Sequence, residues 1–246
     1  MKAVLKKFSF PLLVMLTACI AFAFKHKGEE KNDINGAWHL QNDGEKEVLL
    51  FSDGYFSHTS YSIAKKTFIQ TNGGPFEVTG EVLTILKEFD TGERELVGQQ
   101  MKYTIAITDG QLTMDRGGKK TIWKRLDDGK DNLAGAWKIT ARKQNGIITQ
   151  IHQMGTRKTV KILTGTRFQW AAINPGTKEF SGTGGGTYTF KDGKYTENIE
   201  FFSRDSSRVG ASLSFDGKLE NGEWHHSGKS SKGDDIYEVW GRVAGK

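Results

Sequence analysis

Residues 184–210 read GGGTYTFKDGKYTENIEFFSRDSSRVG, and this stretch decides the fold. Aromatic and polar residues alternate on both sides of Asp192-Gly193. An Asp-Gly pair between two alternating runs is the strongest short-range signal for a β-hairpin, because both turn residues need a positive φ. Residues 74–98, GPFEVTGEVLTILKEFDTGERELVG, align with this stretch without a gap when Gly74 is matched to Gly186, an offset of 112 residues. Such self-similarity predicts an internal repeat.

Matching segments also open and close the two halves of the chain. The opening GAW occurs at 36–38 and 135–137, and the closing strands contain IWKRL at 122–126 and VWGRV at 239–243. The second half has extra residues within 142–157, which predict a longer hairpin or loop there. Neither half shows a sustained helical period, so we predict two tandem all-β domains joined by a polar linker. Their predicted bounds are residues 34–127 and 133–246.

The N-terminus has the pattern of an export signal. Three lysines precede an apolar run that ends at Phe24, so residues 1–24 are predicted to be a signal peptide and residues 25–33 a charged tether. The run contains Leu16-Thr17-Ala18-Cys19, which resembles a bacterial lipobox and predicts lipid attachment at Cys19. Cleavage after Ala21-Phe22-Ala23 is the alternative. Cys19 is the only cysteine, so the chain cannot form an intramolecular disulfide.

The charge distribution argues against nucleic acid as a partner. The chain has a formal net charge of +6, but residues 33–128 have 11 basic and 15 acidic residues, whereas residues 129–246 have 18 and 12. The basic half has no Lys/Arg cluster of the kind that follows a phosphate backbone. We therefore predict no nucleic-acid binding, and we expect the opposite charges to support a contact between the halves.

A family resemblance follows from the opening and closing motifs. A Gly-x-Trp in the first strand and an arginine in the last strand are typical of lipocalins. The second half resembles lipocalin-like domains of uncharacterised bacterial secreted proteins and lipoproteins, through GAWK at 135–138, FQWA at 168–171, GGGTY at 184–188, KYTE at 194–197, EWHHSG at 223–228 and EVWGR at 238–242. The resemblance implies two tandem small up-and-down β-barrels. It also implies that a tryptophan closes one end of each barrel beneath an arginine, the pairs being Trp38 with Arg125 and Trp137 with Arg242.

Strand alternation predicts the interior of the second barrel. A two-residue turn at Asp192-Gly193 places Tyr188 opposite Glu197, and it puts both of them on one face with Phe190, Tyr195, Ile199 and Phe201. Glu200 falls on the opposite face, which we expect to be exposed to solvent. The equivalent of Glu197 in the first half is Ile85. Because a carboxylate in an apolar interior costs free energy unless it is paired, we expect Glu197 to accept a structural hydrogen bond from a tyrosine or Arg242, or to orient a ligand.

The same alternation predicts the wall of a ligand cavity in the second barrel. The candidate ligand-binding residues are Phe168, Trp170, Tyr188, Tyr195, Glu197, Trp224 and His226. Plain core packing is the alternative for each of them. On the last strand, Glu238 and Trp240 share a face with Arg242, which adds a carboxylate and a guanidinium to the same interior.

Other chemistry has weaker support. His225 and His226 are adjacent, so in a strand they point to opposite faces and do not bind one metal ion together. The glycine run at 182–186 precedes a strand instead of joining a strand to a helix, which is the wrong context for phosphate and favours a bulge or a close backbone approach. We predict no metal and no cofactor. Glu197 with His226 as an acid–base pair remains an enzymatic alternative to a non-enzymatic role.

Taken together, these patterns predict an exported, lipid-anchored protein of the bacterial cell envelope, attached to the membrane through Cys19. We expect it to bind an unknown, small, partly polar hydrophobic molecule, with any ligand cavity in residues 133–243. The alternatives are a soluble periplasmic or secreted protein, a structural or assembly module with filled barrels, and a small-barrel isomerase or cyclase.

Overall fold

The computed structural model describes residues 33–42, 44–151, 155–230 and 233–243. Within these residues the chain is all-β and forms two closed, eight-stranded antiparallel barrels in tandem. Both barrels belong to one compact unit, Asn32–Lys246. Cys19, the predicted signal peptide and nearly all of the predicted tether lie outside the described residues.

The first barrel contains nine strands and one short 3-10 helix. In chain order they are β1 Gly36–Asn42, β2 Glu45–Ser52, β3 Tyr55–Ser62, β4 Thr67–Thr79, β5 Val82–Leu86, β6 Phe89–Asp90, the helix Arg94–Leu96, β7 Gln100–Thr108, β8 Gln111–Arg116 and β9 Lys119–Asp127. Each strand except β6 pairs with its neighbours around the ring, and β1 pairs with β9 to close it. The short β6 adds to the side of β4.

The second barrel repeats this arrangement with one addition. Its elements are β10 Gly135–Gln144, β11 Ile147–Gln150, β12 Lys158–Leu163, β13 Arg167–Asn174, β14 Glu179–Lys191, β15 Lys194–Phe202, the 3-10 helix Ser206–Arg208, β16 Ser212–Glu220, β17 Glu223–Lys229 and β18 Asp235–Arg242. Pairing of β10 with β18 closes the ring. The additional strand β11 forms a hairpin with β10, which confirms the predicted insertion within residues 142–157.

The hairpin of β14 and β15 has the predicted register. Tyr188 lies opposite Glu197, and the turn residues Asp192 and Gly193 have φ values of 52° and 74°. A bulge then interrupts the pairing between Gly185 and Gly186. A Cβ atom on Gly186 would lie 2.0 Å from the carbonyl oxygen of Asn198, so no larger side chain fits there. The glycine run therefore marks a bulge with a close backbone approach, as the sequence predicts.

Because of this bulge, the predicted orientation of two residues, Phe201 and Glu200, is wrong. Beyond Ile199 the alternation shifts by one residue, because β15 has an extra residue at Glu200. Phe201, predicted to face the barrel interior, instead packs against Tyr61 with ring centroids 4.7 Å apart. Phe202 takes the inward position, and Glu200, predicted to face solvent, is largely buried between the barrels.

One end of each barrel is closed by a tryptophan beneath an arginine. The guanidinium carbon of Arg125 lies 3.9 Å from the ring centre of Trp38, and that of Arg242 lies 3.8 Å from Trp137. Both distances are within the range of about 6 Å for a cation–π contact. Each indole N–H donates to the carbonyl oxygen four residues earlier in the chain, at 2.9 Å. Both indoles are buried, so the equivalent ends of the two barrels are closed in the same way.

The outer faces of the barrels pack against each other around a third core. Residues from β2 and β3 of the first barrel contact residues from β12 and β13 of the second, including Val48, Leu50, Val160, Ile162 and Ala171. Phe68 stacks on Phe180, its equivalent in the repeat, with ring centroids 6.4 Å apart. These strands are therefore buried on both faces: one face points into its own barrel and the other packs against the neighbouring barrel.

Two reciprocal ion pairs cross this interface. Lys46 Nζ lies 3.1 Å from Glu200 of the second barrel, and Lys158 Nζ lies 2.8 Å from Glu88 of the first. The lysines are equivalent in the repeat, and so are the glutamates. Tyr61 donates a further hydrogen bond to Glu200, and Tyr55 donates one to Glu88. In these two pairs each barrel supplies one lysine and one glutamate. A third ion pair, Arg242 Nη1 with Asp53 at 2.8 Å, joins a base of the second half to an acid of the first, in the sense of their opposite net charges.

Candidate functional site

The second barrel contains a cavity of about 300 Å³. Trp137 and Arg242 close one end of this barrel, and the cavity lies towards the opposite end. Its wall includes Arg142 of β10 and Glu238 of β18. Four large aromatic side chains line it: Trp170, Phe202, Phe215 and Trp240. Polar residues from five strands also line it, namely the buried Lys161, Glu197 and His226, the partly buried Glu238 and the exposed Arg142. An apolar pocket with a few convergent polar groups is the usual form of a small-molecule site.

Lys161 and Glu197 form a buried ion pair at this site. The Nζ atom of Lys161 lies 2.8 Å from Glu197 Oε1, and the side chains are only 6% and 7% exposed. The Tyr195 hydroxyl donates a second hydrogen bond to the same oxygen, at 2.9 Å. Glu197 therefore has the tyrosine partner that the sequence predicts, together with a lysine and without Arg242. A buried pair of this kind is costly to break, because the remaining charge loses its partner.

Aromatic rings surround the ammonium group of Lys161. Its Nζ atom lies 5.2 Å from the ring centres of Trp224 and Trp240, 5.3 Å from Tyr195 and 5.8 Å from Phe168. The negative faces of these rings offset part of the cost of removing the charge from water. Lys161 is thus fixed both by a carboxylate and by the packed aromatic core beneath the cavity.

Several buried polar atoms have no hydrogen-bond partner among the described residues, and His226 is the residue among them that lines this cavity. Its side chain is 3% exposed, and neither ring nitrogen has a hydrogen-bond partner among the described residues. The nearest carboxylate oxygen, Glu238 Oε2, is 3.5 Å from Nδ1. Burial lowers the pKa of His226 below its usual range, and Glu238 only partly opposes this effect. The imidazole is therefore neutral at neutral pH and offers one donor and one acceptor to the cavity.

Glu238 remains ionised beside this neutral histidine. Burial alone would raise the pKa of Glu238, but the contact with His226 and the positive charges of Lys161 and Arg142 outweigh it and lower the pKa. The indole N–H of Trp240 donates to Glu238 Oε2 at 3.2 Å. The side chain is 24% exposed, so the carboxylate remains accessible from the cavity.

Three of the seven predicted wall residues line the cavity: Trp170, Glu197 and His226. The other four, Phe168, Tyr188, Tyr195 and Trp224, are buried in the packed core and do not line it. Tyr188 instead donates a hydrogen bond to the carbonyl oxygen of Thr164 at 2.6 Å, near the closed end. Strand alternation identifies the inward face but carries no information about depth along the barrel, and this explains why the predicted wall is too large.

Lys161 and Arg142 line the cavity but are not among the ligand-binding residues predicted from the sequence. Lys161 lies in the run KTVKIL, where a lysine between apolar residues usually marks the solvent face of a strand. The repeat does indicate that Lys161 faces inward, because its equivalent in the first half is Leu49, which is buried inside the first barrel. Alternation places Glu238 and Trp240 on one face of the last strand, and both line the cavity in the structure, although neither is among the predicted ligand-binding residues.

The first barrel also contains a cavity, so the prediction that the ligand cavity lies in residues 133–243 cannot rest on the presence of a cavity alone. It has a volume of about 560 Å³ and a more polar wall. Lys87 Nζ lies 3.3 Å from Asp90 and also donates to Asn72. Burial lowers the pKa of Lys87, and Asp90 opposes this shift. His58 Nε2 lies 2.8 Å from Glu47 at the same wall.

The described residues give no indication of a catalytic or metal site. Glu197 and His226 line the same cavity, as an acid–base pair would require. Glu197, however, already accepts hydrogen bonds from Lys161 and Tyr195. Among these residues, no group of three or more His, Cys, Asp or Glu side chains is placed to hold a metal ion. In the same part of the chain, no helix has the length and hydrophobicity needed to cross a membrane.

No protein-family model matches the chain. A search of curated proteins likewise finds no significant match.

Proposed function

We propose that the protein is an exported, lipid-anchored binding protein that holds a small, partly polar hydrophobic ligand in its second barrel. The observation that carries the proposal is His226, which lines a cavity with both ring nitrogens unpartnered among the described residues. Buried polar groups in folded proteins nearly always have hydrogen-bond partners, and an exception needs an explanation. A bound molecule that reaches His226 supplies the partner.

The size and composition of the cavity support a binding role over a purely structural one. Its volume of about 300 Å³ is at the lower end of the range of about 300–1,000 Å³ for small-molecule sites. Aromatic walls suit an apolar body, and polar groups at fixed positions suit a ligand with a few hydrogen-bonding groups. A structural or assembly module with filled barrels would not need this space.

The export and anchoring parts of the proposal rest on the sequence. Residues 1–24 have the pattern of a signal peptide, and Cys19 is placed as the lipid attachment site of a lipobox. The proposed location is the bacterial cell envelope. We also propose a lipocalin-like origin for both barrels, supported by their closed eight-stranded form and by the Trp–Arg contact at the closed end of each.

Native mass spectrometry of the full-length protein, purified from its own host, tests the binding role. We expect a retained small molecule that is absent from His226→Met, a variant that copies Met114 of the first barrel. The matched control is Met114→Leu in the first barrel, which should retain the molecule. A wild-type protein that is consistently free of any retained or exchangeable small molecule would favour the structural alternative.

A further inference from the structure

We propose that the ligand of the second barrel is an amphipathic zwitterion, with an ammonium and a carboxylate group next to an apolar body. The proposal rests on the binding function proposed above and adds the chemical class of the ligand. It follows from the charges that line the cavity and from which of them already have partners.

Most of these charges are neutralised within the protein. Lys161 is paired with Glu197 at 2.8 Å. Arg208 Nε lies 3.0 Å from Asp205 at the wall of the same cavity. His226 is neutral at neutral pH. Two charged groups of opposite sign then remain, Arg142 and Glu238.

Arg142 and Glu238 are neighbours that do not contact each other. Their Cα atoms are partners in the pairing of β10 with β18, and both side chains line the cavity. Side chains at such positions are close enough to form an ion pair. In the described part of the chain, the guanidinium of Arg142 nevertheless has no hydrogen-bond or ion-pair partner, and Glu238 has no arginine or lysine within 4.0 Å. A cation site and an anion site are therefore held side by side at the cavity.

A zwitterion satisfies both groups at once. Its carboxylate pairs with Arg142, its ammonium pairs with Glu238, and its apolar body lies among Trp170, Phe202 and Trp240. An amine without an acid group leaves Arg142 unpaired and places two cations near each other. An acid without an amine group does the same to Glu238. Glu238 is largely buried, so leaving its charge unpaired is costly. Arg142 is exposed to solvent and costs less to leave unpaired, so the cavity discriminates against both kinds of ligand, and more strongly against the acid.

Four probes with a common phenyl group test this inference on the full-length protein. They are L-phenylalanine, phenethylamine, 3-phenylpropionate and 2-phenylethanol, which are zwitterionic, cationic, anionic and neutral. Isothermal titration calorimetry gives the affinities, and quenching of tryptophan fluorescence reports binding near Trp170 and Trp240. We expect L-phenylalanine to bind at least about tenfold more tightly than any of the other three.

Charge-removing variants then assign each end of the ligand. Arg142→Gln should reduce the affinity for L-phenylalanine to that for phenethylamine, and Glu238→Gln should reduce it to that for 3-phenylpropionate. Lys143→Gln, next to Arg142 on the opposite face of β10, and Glu223→Gln, an exposed position on β17, are the matched controls and should change nothing. Far-ultraviolet circular dichroism and the thermal midpoint verify that each variant is folded.

The outcomes separate this inference from the function beneath it. If the neutral or singly charged probes bind as tightly as L-phenylalanine, the ligand class is wrong and the binding function stands. If the Arg142 and Glu238 variants keep the wild-type preference, the assignment of the two ends is wrong. If none of the four probes binds and no molecule is retained from the host, the binding function fails and the inference fails with it.

Discussion

The two barrels have the same fold but different interiors. Lys161, Glu197 and His226 of the second barrel occupy positions that are Leu49, Ile85 and Met114 in the first. The first barrel has its own buried pair, Lys87 with Asp90, at positions that are Ile199 and Phe202 in the second. Each barrel therefore contains one buried lysine–carboxylate pair, and the two pairs occupy different sites.

This difference separates what holds the fold from what defines the site. The equivalent features of the two barrels are the closing tryptophan and arginine, the glycines at the β-bulge and the lysine–glutamate pairs across the interface. They all lie at barrel ends, in backbone contacts or between the barrels. The positions that differ line the cavities. The repeated features explain why the interiors changed without loss of the fold.

The closing tryptophans provide the most severe test of this equivalence. Trp38→Ala and Trp137→Ala should each reduce the free energy of unfolding by about 3–5 kcal/mol, because a large buried ring is replaced by a cavity. Chemical denaturation measured by circular dichroism gives the values. If only one variant is destabilised, the two closed ends are not equivalent, whatever their geometry.

The effects of substituting Lys161 and Glu197, the buried ion pair of the second barrel, on the free energy of unfolding should be strongly coupled. Lys161→Leu leaves Glu197 buried with only Tyr195, and we expect a loss of about 3–5 kcal/mol in the free energy of unfolding. Lys161→Leu with Glu197→Ile copies the first barrel and should restore most of that loss. The double variant should also lose any retained ligand.

A double-mutant cycle measured by urea denaturation checks this dependence. Additive effects of the two substitutions would show that the pair is not coupled. Leu49→Met, at the equivalent position of the first barrel, is the control, because it conserves volume and creates no cavity.

Much of the fold can be predicted from the sequence, because local rules determine it. Asp192-Gly193 predicts the turn and the register of β14 with β15, and the repeat predicts two barrels with an extra hairpin in the second. The limit of this prediction is the bulge at Glu200. One unpaired residue inverts every later position of the strand, and nothing in the run NIEFF shows where it is inserted.

The site can be predicted less well, because its residues meet only when the barrel closes. Glu197 and His226 are identified by polar character on an inward face, and Glu238 lies opposite His226 in the hairpin of β17 and β18. Lys161, the partner of Glu197, comes from β12, 36 residues earlier in the chain. The packing of one barrel on the other also makes the inward face of β12 hard to predict from the sequence. It buries Val160 and Ile162 on the outer face of β12, so that Lys161 on the inner face is the polar exception.

The interface pairs should differ in strength between the two barrels. Glu200 accepts hydrogen bonds from Lys46, Arg167 and Tyr61, whereas Glu88 accepts them from Lys158 and Tyr55. Hydrogen bonds to charged groups contribute about 1.5–3 kcal/mol each, but each variant here retains some of them. We therefore expect Glu200→Gln to cost about 2 kcal/mol and Glu88→Gln about 1 kcal/mol.

The pH dependence of the Glu200 contribution has a definite sign. Burial raises the pKa of Glu200, but Arg167, Tyr61 and Lys46 outweigh burial and lower it. The stabilisation is therefore present above the pKa of the unfolded chain and is lost as the pH falls through the lower pKa of the folded protein. Thermal unfolding between pH 7 and pH 3 measures the effect, which Glu200→Gln should remove. A larger loss at Glu88 would contradict the proposed ranking.

The two interiors should also differ in their response to acid. His226 is buried and has a lowered pKa, whereas its equivalent in the first barrel, Met114, does not titrate. As the pH falls below the ordinary histidine pKa of about 6.5, the unfolded chain takes up a proton at this position and the folded barrel does not. The second barrel should therefore lose up to about 1.4 kcal/mol of stability per pH unit below that value.

His226→Met should abolish this slope, and His225→Met, on the outer face of the same strand, should leave it unchanged. Equilibrium denaturation at several pH values from 7.5 to 5 provides the comparison. If the His226→Met variant keeps the wild-type slope, His226 is protonated in the folded barrel, and the neutral imidazole assigned to the ligand site is wrong.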